Sequence, residues 1–60
     1  MIIVKCNENM FDKDSLTKGK EYELLEVHKN DDGTEDYCVI NDLGEPEIFI
    51  AELFSIIKES

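Results

Sequence analysis

The sequence predicts an all-β protein: five short strands in a single domain. Three observations lead to this prediction. The apolar runs are short and rich in β-branched and aromatic residues, glycine-containing turns separate them, and the chain has only 60 residues. Short apolar runs bounded by turn residues are typical of strands. A chain of this length buries only about 60% of its unfolded surface, so it has room for one small core.

The first part of the chain predicts two strands joined by a long loop. Ile2–Cys6 is a β-branched run, and the polar residues 7–9 end it. In residues 10–20 the apolar positions follow neither the helical nor the strand period, which predicts an irregular loop. Residues 21–28 carry apolar side chains on both faces, as expected for a strand inside a small, strongly curved sheet. These side chains are Tyr22 and Leu24 on one face, and Leu25 and Val27 on the other.

The second part predicts two hairpins and a last strand. Residues 30–33 and 41–44 are turn sequences, and Asp32-Gly33 of the first supplies the positive φ angles that tight hairpins require. Between and after them, residues 37–40 and 48–50 are the strands of the second hairpin. Pro46 lacks a backbone N–H, so it belongs at the start of its strand or on an exposed edge. We expect one helical turn over residues 51–54 and a strand over 55–58.

Two segments resemble SH3 domains. Residues 16–26, LTKGKEYELLE, carry a hydrophobic residue, a lysine and a glycine ahead of an alternating strand. Residues 44–54 carry a glycine, an aromatic strand and the helical turn. The resemblance covers almost the whole chain and implies a five-stranded SH3-like barrel. More narrowly, LTKGKEYELLEV, VINDLGE and AELF resemble the small YorP-like barrel proteins of bacteriophages and prophages of Gram-positive bacteria. This resemblance implies a phage-type accessory protein and no particular activity.

The chain departs from the SH3 pattern where SH3 domains bind proline-rich peptides. Those domains grip the peptide with Tyr and Trp rings and a proline. This sequence has no Trp, and Ile50 and Leu53 stand where the groove has its Pro and Tyr. Acidic residues of the first loop are all that remains of the binding set: Glu8, Asp12 and Asp14. Binding of proline-rich ligands is therefore not implied.

The charge of the chain narrows the class of partner. Fifteen acidic residues against six lysines, with no arginine, give a formal net charge of −9. Recognition of nucleic acids and anionic lipids depends on clustered Lys and Arg, so we expect neither nucleic acid nor membrane as a partner. The charge favours a protein partner with a basic surface, or mimicry of a polyanion. The alternative is that the charge serves solubility alone.

We expect a cytoplasmic protein, in the host cytoplasm if it is phage-encoded. No apolar run approaches the roughly 18 residues of a membrane span, and residues 1–5 are too short for a signal-peptide core. Cys6 and Cys38 are then expected to be reduced, because cytosolic disulfides are uncommon. Their separation also matches no zinc spacing. Both lie within apolar runs, which favours buried positions.

No arrangement of residues indicates an enzyme. His28 is the single histidine and lacks a nearby nucleophile with an orienting group, so we expect an exposed polar side chain. Residues 30–36 are rich in oxygen donors, but their spacing is not that of a calcium loop, and a hairpin turn explains the glycine. We therefore expect no catalytic residues, no cofactor and no metal site.

The strand pattern also predicts the core. We expect it to contain Val4, Leu16, Tyr22, Leu24, Cys38, Ile40, Phe49 and Phe54. Small barrels fill their interiors with aromatic rings. For Phe11 and Tyr37 the choice between core and binding surface stays open.

Two functions are compatible with these features. The first is a small protein-binding module, a monomer or weak homo-oligomer, that uses Phe11, Tyr37 and the acids of the first hairpin. Those acids are Asp31, Asp32, Glu35 and Asp36. The alternative is an acidic mimic of nucleic acid that inhibits a DNA- or RNA-processing enzyme. It needs the acids of both hairpins to form one ridge; the second set is Asp42, Glu45 and Glu47.

Overall fold

The computed structural model describes residues 1–8 and 15–59 and confirms the all-β prediction. Its elements are β1 (Ile2–Cys6), β2 (Glu21–Lys29), β3 (Glu35–Ile40), β4 (Pro46–Ile50), a 3-10 turn (Ala51–Leu53) and β5 (Phe54–Glu59). The helical turn precedes the last strand as expected, although Phe54 already belongs to β5. Five strands and one short helical turn therefore stand in the predicted order.

All strand pairs are antiparallel, and the spatial order is β4-β3-β2-β1-β5. This is the order of the SH3-like barrel. The nine-residue β2 pairs with β1 through its first half and with β3 through its second half. Its register with β3 shifts between Leu24 and Glu26, an irregularity of the kind that bends a strand. One curved strand thus joins the two halves of the sheet.

The two hairpins share one turn design. The Gly33 N–H donates to the Asn30 carbonyl at 3.1 Å, and the Gly44 N–H donates to the Asn41 carbonyl at 3.0 Å. The two glycines have φ values of 90° and 79°, in the left-handed region that L side chains disfavour. Glycine therefore stands at the one position of each turn where its freedom is required.

The core lies between the two halves of the sheet. Phe54 is central: its ring lies 6.0 Å from Tyr37 and 6.1 Å from Phe49, edge-on to the latter at 68°. Edge-to-face arrangements of this kind suit the quadrupoles of aromatic rings. The buried apolar residues are Val4, Cys6, Leu16, Tyr22, Leu24, Tyr37, Val39, Phe49, Leu53 and Phe54.

The predicted core is wrong in β3. Cys38 and Ile40 are half-buried, and Tyr37 and Val39 face the core instead. All four residues are apolar, so the pattern could not choose a face, and a shift of one residue exchanges the faces. The choice is made by pairing, because Val39 lies opposite buried Leu24 and Tyr37 opposite buried Phe49.

Candidate functional site

An open cleft of about 440 Å³ lies between the β2–β3 hairpin and the corner that follows β4. One wall is the end of the turn with the start of β3, and the other is the end of β4 with the 3-10 turn. The lining residues are Gly33, Thr34, Glu35, Asp36, Ile50, Ala51 and Glu52.

The β3–β4 ladder brings the two walls together. Asp36 lies directly opposite Ile50 in the register, so their side chains stand next to each other on the outer face of the sheet. Beyond Ile50 the chain turns, and the Phe54 N–H donates to the Ala51 carbonyl to close the 3-10 turn. Buried Leu53 holds this turn against the core. The second wall is therefore a fixed corner of the barrel.

The cleft combines negative charge with an apolar surface. Glu35, Asp36 and Glu52 provide three carboxylates, and Ile50, 52% exposed, provides the largest apolar side chain of the lining. Every charged residue within residues 30–57 is acidic. Lys29 pairs with Glu35 across the β2–β3 ladder but is not part of the lining. The cleft thus offers a site for a cation that carries an aliphatic portion.

The four acids predicted for the first hairpin do not act alike. Glu35 and Asp36 line the cleft, and Asp36 also accepts a hydrogen bond from Asn30 Nδ2 at 3.3 Å. Asp32 serves the turn itself, since its carboxylate accepts from the Thr34 hydroxyl at 2.6 Å and from the Thr34 N–H at 3.0 Å. These hydrogen bonds lower the pKa of Asp32. Asp31 lies in the exposed turn, outside the lining.

The two aromatic residues of the predicted site have different outcomes. Tyr37 is 8% exposed and packs against Phe54, so its ring belongs to the core and is not available to a partner. Phe11 lies outside the described residues, and so do Asp12 and Asp14.

Sequence reasoning missed Ile50, Ala51 and Glu52 as members of the site. A signal existed for Ile50, because the SH3 resemblance places it where the peptide groove has its proline. Glu52 gave no comparable signal: it is one acid among fifteen, and only the 3-10 turn brings it to face Glu35 and Asp36 across the cleft.

The acids of the second hairpin lie at the other end of β3, because residues 30–34 precede that strand and residues 41–45 follow it. One of them, Asp42, is 17% exposed and accepts hydrogen bonds from Lys20 Nζ at 2.7 Å, Thr17 Oγ1 at 2.8 Å and the Tyr22 hydroxyl at 3.0 Å. The Lys20 hydrogen bond is the main cause that lowers the pKa of Asp42. The two acidic sets therefore do not form one ridge.

Within the described residues, the histidine and the possible metal ligands do not form a further site. His28 is exposed, as predicted, and its Nε2 lies 3.3 Å from a Glu26 carboxylate oxygen. Within residues 1–8 and 15–59, no group of three His, Cys, Asp or Glu side chains is placed to hold a metal ion. The same residues contain no helix long and apolar enough to cross a membrane.

Comparison of the chain with known protein families, curated proteins and solved structures finds no match. The resemblance to phage proteins therefore stays a prediction, and the cleft is the basis for a functional proposal.

Proposed function

We propose that this protein is a small protein-binding module that receives a basic segment of a partner protein in the acidic cleft. The observation that carries the proposal is the joint presence of Glu35, Asp36 and Glu52 around exposed Ile50. Lys and Arg side chains have an aliphatic stem and a charged head, which match an apolar wall and a carboxylate rim.

The net charge supports the same class of partner. A charge of −9 attracts a basic protein and speeds its association, and this effect weakens with salt because the screening length is about 8 Å at physiological ionic strength. The same charge opposes DNA and RNA, whose binding requires neutralisation of phosphates by Lys and Arg. An accessory role in a phage, with a host or phage protein as the partner, rests on the sequence resemblance alone.

The mimic of nucleic acid is the weaker candidate. A mimic must present a continuous row of negative charge, and the two acidic hairpin turns lie at opposite ends of β3. Asp42 is in addition paired with Lys20. These features favour one local site for a cationic segment.

The test compares two variants with equal loss of charge. The cleft variant carries Glu35→Gln, Asp36→Asn and Glu52→Gln. The control carries the substitutions Glu21→Gln, Glu23→Gln and Glu59→Gln, at exposed positions outside the cleft. The probe is a fluorescent lysine-rich peptide, titrated by anisotropy at two salt concentrations. We expect the cleft variant to lose about tenfold or more in affinity, since each contact of this kind contributes up to about 1 kcal/mol.

The control variant should lose much less, because it lowers only the long-range attraction. An equal loss in both variants would contradict the cleft as the binding site. Labelled duplex and single-stranded oligonucleotides should show no binding at physiological salt, and tight binding of either would refute the interpretation of the charge.

A further inference from the structure

β4 is an outer strand of the sheet. Among the residues that the structure describes, it pairs with β3 along one edge, and no strand pairs with its other edge. An unpaired edge presents backbone N–H and C=O groups that another extended chain can bond.

The geometry of the β3–β4 hairpin shows which backbone groups of β4 point away from β3. The Asn41 N–H donates to the Glu45 carbonyl at 2.9 Å, and from there hydrogen-bonded and non-hydrogen-bonded pairs alternate along the ladder. Residues 47 and 49 therefore direct their backbone groups to β3, and residues 46, 48 and 50 direct theirs outward. Pro46 has no N–H, so the outward donors of β4 are Ile48 and Ile50.

The side chains beside this edge form an apolar strip. Ile48 is 59% exposed and lies opposite half-buried Cys38, and Pro46 lies opposite half-buried Ile40. Natural edge strands are usually protected by lysines, bulges or prolines. Of these devices β4 carries only Pro46, at its first residue.

The net charge of the protein indicates what kind of chain can pair with the outer edge of β4. A second copy of the chain would bring a net charge of −9 against an equal one. A basic segment is attracted, and Ile50 belongs both to the edge and to the acidic cleft. A segment paired with β4 would therefore run directly to Asp36 and Glu52.

We propose that a basic segment of the partner adds to the outer edge of β4 as a sixth strand and places a cationic side chain in the cleft. This inference rests on the function proposed above and specifies its ligand as an extended segment with an apolar and a basic residue two positions apart, because the apolar strip and the Asp36–Ile50 pair lie on the same face of the sheet. Backbone hydrogen bonds to Ile48 and Ile50 supply the pairing, the apolar strip receives one face of the segment, and the carboxylates select the charge.

The test uses isotope-labelled protein and a short peptide in which every second residue is alternately valine and lysine, with threonine between them, so that one face carries both side chains. Amide exchange is followed by NMR with and without the peptide. In the free protein, Ile48 and Ile50 should exchange fast, while Glu47 and Phe49, whose amides face β3, exchange slowly. The bound peptide should slow exchange at Ile48 and Ile50 at least tenfold and leave the other two amides unchanged.

Two further peptides separate backbone pairing from charge. The first peptide carries N-methyl groups on the amides of its odd residues and the second on those of its even residues. Their charges are identical. Only the amides on one side of a strand face β4, so one methylated peptide should lose at least tenfold in affinity and the other should bind like the parent. On the protein, Ile48→Pro removes the outward donor and should weaken binding more than Ile48→Thr, which keeps it.

The outcomes separate the two proposals. Equal binding of both methylated peptides, with no new protection at Ile48 and Ile50, overturns the proposed strand pairing. The cleft proposal then still stands if the cleft variant fails to bind the peptide. Protection of these amides without peptide, together with a dimer in sedimentation, assigns the edge to a second copy and also overturns the inference. If the parent peptide does not bind, the pairing is overturned; if the lysine-rich peptide does not bind either, both proposals are overturned. The methylated peptides require no protein variant, so the test stands even if Ile48→Pro fails to fold.

Discussion

Replacement of Phe49 tests which face of β4 supports the core. Phe49 is 4% exposed and edge-on to Phe54, whereas Ile48, the preceding residue, is 59% exposed on the opposite face. A buried Phe→Ala change costs about 3–5 kcal/mol, of which the aromatic pair accounts for about 0.5–1.5 kcal/mol. A domain of this size has a total stability of about 3–9 kcal/mol. We therefore expect Phe49→Ala to lose about half or more of the free energy of unfolding.

A milder change keeps the effect measurable. Phe49→Leu should cost about 1–2 kcal/mol, because it keeps an apolar side chain but loses the ring contact. Ile48→Thr should cost about 0.5 kcal/mol or less, since the side chain is exposed and stays β-branched. With a urea slope of about 1 kcal/mol per molar for a small protein, Phe49→Leu should lower the midpoint by about 1–2 M. Circular dichroism follows the transition.

Equal midpoints for Phe49→Leu and Ile48→Thr would refute the assignment of the two faces. A Phe49→Ala variant that unfolds like the parent would refute the core itself.

Two further predictions concern titratable side chains. Both thiols should be free, so alkylation under denaturing, non-reducing conditions should modify Cys6 and Cys38. Under native conditions half-buried Cys38 should react faster than buried Cys6. A single modified cysteine after denaturation would contradict the prediction of two free thiols. The pKa of Asp42 lies below its usual value of 3.8, mainly because of the Lys20 hydrogen bond. The ionised carboxylate therefore stabilises the fold at pH values above 3.8, and this stabilisation is lost as the pH falls through the pKa of the folded state. Asp42→Asn should therefore unfold at lower urea than the parent at neutral pH, with a difference that shrinks in acid; a difference independent of pH would show that the charge of Asp42 is not involved.

Local signals in the sequence were sufficient for the class of fold. The turns around Gly33 and Gly44 require a left-handed residue, and glycine at those positions marked both hairpins. The short run Ile2–Cys6 and the four residues before the last strand left little room for any other element. Each of these features depends on neighbouring residues, which is why the pattern alone predicted them.

Sequence reasoning predicted only part of the candidate site. Glu35 and Asp36 stood out because they follow a clear turn, but nothing local showed that Asp32 would be used by Thr34 within that turn. Glu52 reaches the cleft only because the chain turns after β4. A site built from two separate hairpins depends on how they pack, and no local pattern carries that information.

Local sequence was thus sufficient to predict the all-β class, the two glycine turns, the helical turn before the last strand and the excess of negative charge. Long-range packing determines which face of β3 is buried, because residues 37–40 are all apolar and their strand partners make the choice. The same long-range contacts pair Asp42 with Lys20 and place β4 at an edge. These features join residues that are distant in the chain, and the free energy that selects them comes from packing and strand pairing between those residues.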